Sequence, residues 1–471
     1  MYILRVFVDR ERELAFLEER QRARGPQLVV VWGRRRVGKT ALLTLFARRH
    51  EILYHLATRA TPALELARFS ERVAEHYGDA VVAAQPFSSW DVAFRYLAGR
   101  QEPPSLVLDE FPYLAEGDPS FPTVLQAAWD ERLAPRGARL YLSGSSVGMV
   151  ERMALSHDAP LYGRRTGQWR LEPLAAWHLA GFLRGTLGTL LPYYAVMGGV
   201  PHYLALLDPR RSLAANLLEH VLSRGAPLYE EVPFLLREEF REPRVYFSIL
   251  VVVAAGAERF GEISSKTGLD RANLTRYLGE LAEVGLLRRD VPVTQPMPDK
   301  SRLGLYRIAD PFARFWLRFV HGHRDRLEMG DARAVLRERI LPAMDAFVGK
   351  VAEDVTRDLL CETSARQLVP FDPVWRGRHW SATAELDVVL LDEQRRRAFV
   401  AEVKWSNKTP SASLLDDLRA RVARVPELAT VDVTLALVSR RGTARDLGRR
   451  LHADERFLSL GAWKTAVSRQ T

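Results

Sequence analysis

The chain has 471 residues, 47% of them apolar and 27% charged, which is too much sequence for one ordinary core and sets an expectation of about three domains. Its net charge of +10 points to an acidic partner, nucleic acid first. No run approaches the ~18 uncharged apolar residues of a membrane-spanning helix, and the lone cysteine, Cys361, excludes an intrachain disulfide or a cysteine zinc site.

The opening stretch MYILRVFVDRERE has neither an apolar h-region nor a small-residue cleavage site. A soluble protein of a reducing cytoplasm, with no membrane partner, is the expectation. Of the 68 cationic residues 61 are Arg and 7 are Lys, so each lysine is a candidate for chemistry that a guanidinium does not do.

The first strong pattern is QLVVVWGRRRVGKTALLTLFARR. Leu28 to Trp32 form an apolar run expected to be a buried strand, and Leu42, Leu43, Leu45 and Phe46 have helical spacing. Between them Gly33, Arg34, Arg35, Arg36, Val37, Gly38, Lys39, Thr40 and Ala41 match the phosphate-binding loop G-x-x-x-x-G-K-[ST]. Glycines let the backbone wrap an anion, the loop N–H groups and helix N-terminus face it, Lys39 reaches the terminal phosphates, and Thr40 ligates Mg²⁺. Further on, Leu106 to Leu108 predict a strand ending in Asp109 and Glu110. Asp109 is expected to hold Mg²⁺ and Glu110 to activate water. The strand ARLYLSG delivers Ser145, read either as a phosphate or water contact or as part of a turn or cap. In PLYGRRTG, Arg164 or Arg165 is read either as an arginine finger, within its own chain or across an assembly, or as one of the chain's many surface arginines.

The ordered set FVDRERELAFLEE, GRRRVGKT, LVLDEFPYL, LYLSGSS, PLYGRRTG and YYAVMGGVPHYL resembles the archaeal-type ATPase family, a branch of the AAA+/STAND P-loop NTPases. The resemblance implies an α/β fold: a doubly wound parallel sheet with a helical lid, then a winged helix-turn-helix and an α/β PD-(D/E)XK nuclease-like domain. It also implies that Phe7, Val8 and Arg10 lie near the nucleotide base and that GGVPHY belongs to the lid. The boundaries expected are 1–173 for the ATPase core, 174–238 for the lid, 239–312 for the winged helix and 313–471 for the nuclease-like domain.

In FGEISSKTGLDRANLTRYLGELAEVGLLRRD a helix, a turn at Gly268 and a second helix capped by Asp270 are expected. Leu274, Leu278 and Leu281 turn inward, leaving Arg271, Asn273 and Thr275 for DNA. VPVTQPMPDKSRLGLYRI reads as the wing, with Lys300 and Arg302 near its tip. Such a module either contacts DNA or packs on the motor as a spacer.

Beyond the aromatic helix ADPFARFWLRFV, the helix FVGKVAEDVTRDLL carries Glu353, and two strands joined by a polar turn at residues 392 to 397 follow. Strand alternation puts Glu385 with Asp387, and Glu402 with Lys404, on common faces. Carboxylates on neighbouring strands can hold Mg²⁺ or Mn²⁺ while a lysine stabilises a phosphorane. Asp387, Glu402, Lys404 and Glu353 resemble the PD-(D/E)XK nuclease arrangement, which implies an αβββα core and metal-dependent DNA cleavage; within the ATPase family, Trp380 and EVKW belong to the same domain. Asp387 follows Leu386 where the motif has proline, and Ala352 stands where an aromatic is common. The two functional readings are an ATPase coupled to DNA binding and cleavage, and an ATP-dependent switch whose last domain is a platform without cleavage.

Overall fold

A computed structural model describes residues 8–301, 303–362, 367–408 and 410–463. Phe7 and Arg302 lie outside them. The chain forms two compact units that meet in sequence at Pro173 and Leu174.

In the first unit five parallel strands are ordered β2-β3-β4-β1-β5: β1 is Gln27–Trp32, β2 Leu53–Leu56, β3 Ser105–Asp109, β4 Arg139–Gly144 and β5 Gly167–Arg170. Alternation explains why β1 is apolar throughout. Leu28 and Val30 join a cluster containing Phe69, Trp90, Phe94 and Phe121, while Val29 and Val31 join one containing Leu14, Leu17, Leu43 and Phe46. β3 and β4 split the same way, with Leu106, Leu108, Leu140 and Leu142 on the first side and Val107 and Tyr141 on the second. Helices therefore cover both faces, and the strand ends remain for function.

The second unit begins with helices. Gly199 is pressed against the backbone at residue 174: a β-carbon there would stand 1.8 Å from the Leu174 carbonyl oxygen, and the Leu174 N–H donates to the Gly199 carbonyl at 2.7 Å. The helix-turn-helix follows as Phe260–Thr267, Gly268 at φ 71°, and Arg271–Glu283. Asp270 caps the second helix, accepting from the Asn273 N–H at 3.0 Å, and Leu274, Tyr277, Leu278 and Leu281 are buried. β6 (Leu287–Asp290) and β7 (Leu305–Ile308) form an antiparallel ribbon.

The ribbon's connecting stretch differs from a free wing. Val293 is 6% exposed inside the C-terminal core, its N–H donates to the Arg378 carbonyl at 2.9 Å, and Thr294 Oγ1 meets His379 Nδ1 at 2.8 Å. Arg395 Nη1 holds the carbonyls of Val293, Thr294 and Gln295 at 3.1 to 3.3 Å. One side of the expected wing is thus docked on its own chain.

The last sheet is mixed, ordered β12-β11-β10-β9-β8. β8 (Trp375–Trp380), β9 (Glu385–Leu391) and β10 (Arg397–Lys404) are antiparallel; β11 (Asp432–Ser439) and β12 (Glu455–Ser459) run parallel to β10. The 392–397 turn is closed by Asp392, which accepts from the N–H groups of Arg396 and Arg397. The helix Met344–Leu360 packs on β9 and β10, and Ser413–Val422 packs Leu415 and Leu418 into the sheet core.

Candidate functional site

The loop after β1 has the backbone of an anion cradle. Gly33, Arg36 and Gly38 have φ of 148°, 66° and 101°, values glycine adopts freely and side-chain-bearing residues rarely do. Gly33 is also sterically fixed, because a β-carbon would come 2.3 Å from the Leu171 carbonyl oxygen. Lys39, 4% exposed, opens the helix Lys39–Arg49 and donates Nζ to the carbonyls of Gly33 and Arg34 at 2.8 and 3.0 Å. Thr40 and Ala41 follow in its first turn; Val37 is fully buried, and Arg35 donates to the Tyr113 hydroxyl at 2.6 Å. Arg10 donates to the Val37 carbonyl at 3.1 Å and the Glu172 carbonyl at 2.8 Å, with Val8 buried beside it in sequence. Arg10 therefore braces the loop from behind through backbone carbonyls.

Asp109, at the end of β3, is fully buried and held by three donors: the Ser143 hydroxyl at 2.6 Å, the Glu110 N–H at 3.0 Å and the Tyr54 hydroxyl at 2.7 Å. The sheet order explains this convergence, since β2 brings Tyr54 and β4 brings Ser143 to either side of β3. Tyr54 is held protonated, its pKa raised by burial first and then by the charge of Asp109. Neither residue is singled out by the sequence pattern. Glu110 sits at φ 54° and accepts from both the N–H of Ser145, at 3.0 Å, and its hydroxyl. Ser145 thus aims the carboxylate of Glu110. The donor set of Thr40 and Asp109, beside a lysine and an anion cradle, fits Mg²⁺ and a nucleotide triphosphate.

Arg164 is otherwise engaged than a finger would be. Its guanidinium makes bonds of 2.6 to 2.9 Å to the Asp130 carboxylate and further bonds to the carbonyls of Pro160 and Tyr162. Such a bidentate pair spends the donors that a phosphate would need.

In the second unit Arg271, Asn273 and Thr275 are exposed on the second helix, although Asn273 Nδ2 donates to Asp270 at 2.6 Å and Thr275 Oγ1 to the Arg271 carbonyl at 2.8 Å. Lys300 is exposed as well.

The four residues expected to form a metal-dependent site, Glu353, Asp387, Glu402 and Lys404, are gathered at one end of the mixed sheet. Glu402, 4% exposed, gives one oxygen to Lys404 Nζ at 2.5 Å and the other to Arg421 at 2.7 Å. Asp387 accepts from the Val403 N–H at 3.0 Å. Glu353 meets Lys350 at 3.2 Å and Arg378 at 3.7 Å. Among the described residues no group of three His, Cys, Asp or Glu is placed to hold a metal ion. Cations of the chain thus lie against Glu402 and Glu353, while Asp387 is held by a main-chain N–H. The carboxylates still feel one another. Burial, then the charge of Glu402, pushes Asp387 up to about 6, and burial, then the charge of Asp387, pushes Glu353 up to about 7.

Fold and loop together define a P-loop ATPase with an appended helix-turn-helix and a mixed-sheet domain. The family profile described as "ATPase domain predominantly from Archaea" matches residues 7–207, that of the IclR helix-turn-helix domain matches 246–291, and one described as "Archaea bacterial proteins of unknown function" matches 316–415. An uncharacterized protein of Methanocaldococcus jannaschii is 31% identical over 404 residues, covering 85% of this chain and 88% of that one. The chain belongs to the archaeal-type ATPase family. An uncharacterized ATP-binding protein of the same organism is 42% identical over 52 residues, 11% of this chain and 88% of that one. A Walker-type ATPase of Pyrococcus abyssi is similar in fold, with a TM-score of 0.50 and 20% identity over 68% of this chain and all of that one. No described helix is long and apolar enough to cross a membrane.

Proposed function

We propose that the protein is an ATP-hydrolysing switch that binds DNA through its helix-turn-helix. The observation that supports it best is the assembly of Asp109 and Glu110 at the end of β3, one clamped by Tyr54 and Ser143 and the other aimed by Ser145. Lys39 would exchange its two carbonyl partners for phosphate oxygens, and Thr40 with Asp109 would hold the Mg²⁺ that neutralises phosphate charge. Glu110 would take the proton of the attacking water. The exposed N-terminal face of the helix Arg271–Glu283 supports DNA contact, with Arg271 as its cation.

ATP turnover and fluorescence-detected binding of duplex DNA, measured at several salt concentrations, test this reading. Glu110→Gln should bind ATP without turning it over, and Arg271→Ala should weaken DNA binding and flatten its salt dependence. Unchanged turnover in the Glu110 variant would sink the catalytic assignment.

A second reading, metal-dependent DNA cleavage, has one specific support: Asp387 lies in the field of Glu402 and Glu353 in that of Asp387, and a divalent cation would relieve that repulsion. Lys404 and Arg421 hold the two oxygens of Glu402, so a metal binding there would have to displace one of them. Supercoiled, linear and branched DNA incubated with Mg²⁺ or Mn²⁺, with and without ATP, separates the readings. Cuts lost in Lys404→Ala support cleavage; DNA left intact throughout supports the platform.

A further inference from the structure

Phosphoryl transfer develops negative charge that a cation must meet, and Arg164 is already spent on Asp130. Another arginine of the first unit stands inside the anion cradle itself: Arg35, between Gly33 and Gly38. The carbonyl that Lys39 Nζ holds at 3.0 Å belongs to the peptide joining Arg34 to Arg35, so the side chain of Arg35 starts beside that ammonium group. It then runs to the end of β3. Arg35 Nη2 donates to the Tyr113 hydroxyl at 2.6 Å, and the Tyr113 N–H donates to the Glu110 carbonyl at 3.0 Å.

Tyr113 is well placed to hold it. The helix Pro112–Gly117 that carries Tyr113 is seated on the end of β4: the Phe111 N–H donates to the Ser143 carbonyl at 2.9 Å, and a β-carbon on Gly144 would come 2.8 Å from Pro112 Cγ. Burial first, and then the charge of Glu110, pushes the Tyr113 hydroxyl up, while the charges of Arg35 and Arg59 act the other way. The hydroxyl therefore lies in the field of the Glu110 carboxylate and of two guanidiniums. Of these, Arg59 is committed, stacked 4.8 Å from the Tyr113 ring centroid and forked onto Glu116 at 3.0 and 3.4 Å. Arg35 meets a neutral phenol, and a charged phosphate oxygen is the stronger acceptor for a guanidinium.

We propose that Arg35 is the cation that stabilises the phosphoryl group in flight, supplied from within its own chain, and that Tyr113 positions it; this rests on the ATPase reading above and adds the residue that meets the developing charge. As a bond forms between the water oxygen and the terminal phosphorus, the bond to the bridging oxygen breaks, its electron pair leaves on ADP, and the water proton passes to Glu110. Arg35 exchanges no proton; it neutralises charge on the oxygens being transferred.

The test uses the full chain with Mg²⁺. ATP turnover is read beside calorimetric affinity for ADP alone and for ADP with aluminium fluoride, which mimics the group in flight. Arg35→Met keeps the reach of the side chain without its charge. Aluminium fluoride should tighten ADP binding in the unaltered chain, and Arg35→Met should lose that gain. Its kcat should fall by roughly a hundred-fold or more, with ADP affinity, KM and Tm little changed. Tyr113→Phe, which removes the hydroxyl and leaves the ring beneath Arg59, should lower kcat about ten-fold in the same pattern. Turnover kept within a few-fold in Arg35→Met, or ADP affinity lost as fully as that for the aluminium fluoride complex, would overturn the inference and leave the ATPase reading in place. An unaltered chain that neither binds nor hydrolyses ATP would refute that reading instead.

Discussion

Replacing Glu353 by Gln should stabilise the protein above neutral pH and leave it unimproved in acid. The carboxyl is 9% exposed and pushed up to about 7 from an ordinary 4.5, by burial and then by Asp387. That difference of about 2.5 pH units is worth roughly 3 kcal/mol at 1.36 kcal/mol per unit. Between the two values the unfolded chain has released this proton and the folded chain has not, so stability falls as pH rises through the window, and the whole penalty is present above about 7. Gln does not titrate and escapes it. The loss of the Lys350 contact subtracts little, since the Lys350 side chain is 62% exposed and such pairs contribute about 0–1 kcal/mol; Arg378, 3.7 Å from Glu353, keeps its 2.6 Å bond to Glu385. Urea unfolding followed by circular dichroism should therefore show a gain of about 2–3 kcal/mol at pH 8 and none at pH 4.5. An equal effect at both pH values, or a loss at pH 8, would refute the reasoning.

Lys39→Ala should abolish tight ATP binding, as read by equilibrium dialysis; unchanged affinity would show that the loop does not bind the nucleotide. Tyr54→Phe removes one donor from the buried Asp109, and bonds to a charged acceptor are worth about 1.5–3 kcal/mol, so kcat should fall roughly ten-fold or more with ATP affinity retained. Gly33→Ala forces a β-carbon to 2.3 Å from the Leu171 carbonyl oxygen and should displace the loop, read as lost nucleotide protection in hydrogen exchange. Asp354→Ala strips the half-buried charge shared by Arg288, Arg314 and Arg357; bonds to a charged acceptor are worth about 1.5–3 kcal/mol, which thermal unfolding should report as a drop in Tm.

What could be read from the sequence was what local spacing dictates. The loop and its glycines, the apolar runs of β1 and β3, the Asp270 cap and the inward leucines of the second helix each follow from neighbours a few residues apart. Partners supplied by topology were not readable. Tyr54 reaches Asp109 only because β2 lies beside β3, and Arg421 reaches Glu402 only because the helix Ser413–Val422 covers that end of the sheet. Asp130 takes Arg164 across 34 residues. β8 was hidden for another reason: WRGRHW mixes glycine with cations and aromatics, as suits an edge strand, and lacks an apolar alternation.

The same long-range contacts bear on how a nucleotide signal would travel. Asp354 belongs to the helix that carries Glu353, yet two of its three arginines, Arg288 and Arg314, come from β6 and from the helix after the ribbon. The three guanidiniums hold its carboxyl well below the usual range despite partial burial, so the cluster stays charged and paired through the ordinary pH range. Val293 and Thr294 fasten the other side of the ribbon to β8, and Arg395 closes over them. A motion confined to the helix-turn-helix would have to break a half-buried charge cluster and a strip of hydrogen bonds together. Moving that module with the C-terminal domain breaks neither. An ATP-driven displacement of the helix Arg271–Glu283 would therefore carry Glu353, Asp387 and Glu402 with it, and the proposed DNA contact at that helix would keep a fixed geometry to those carboxylates through the nucleotide cycle.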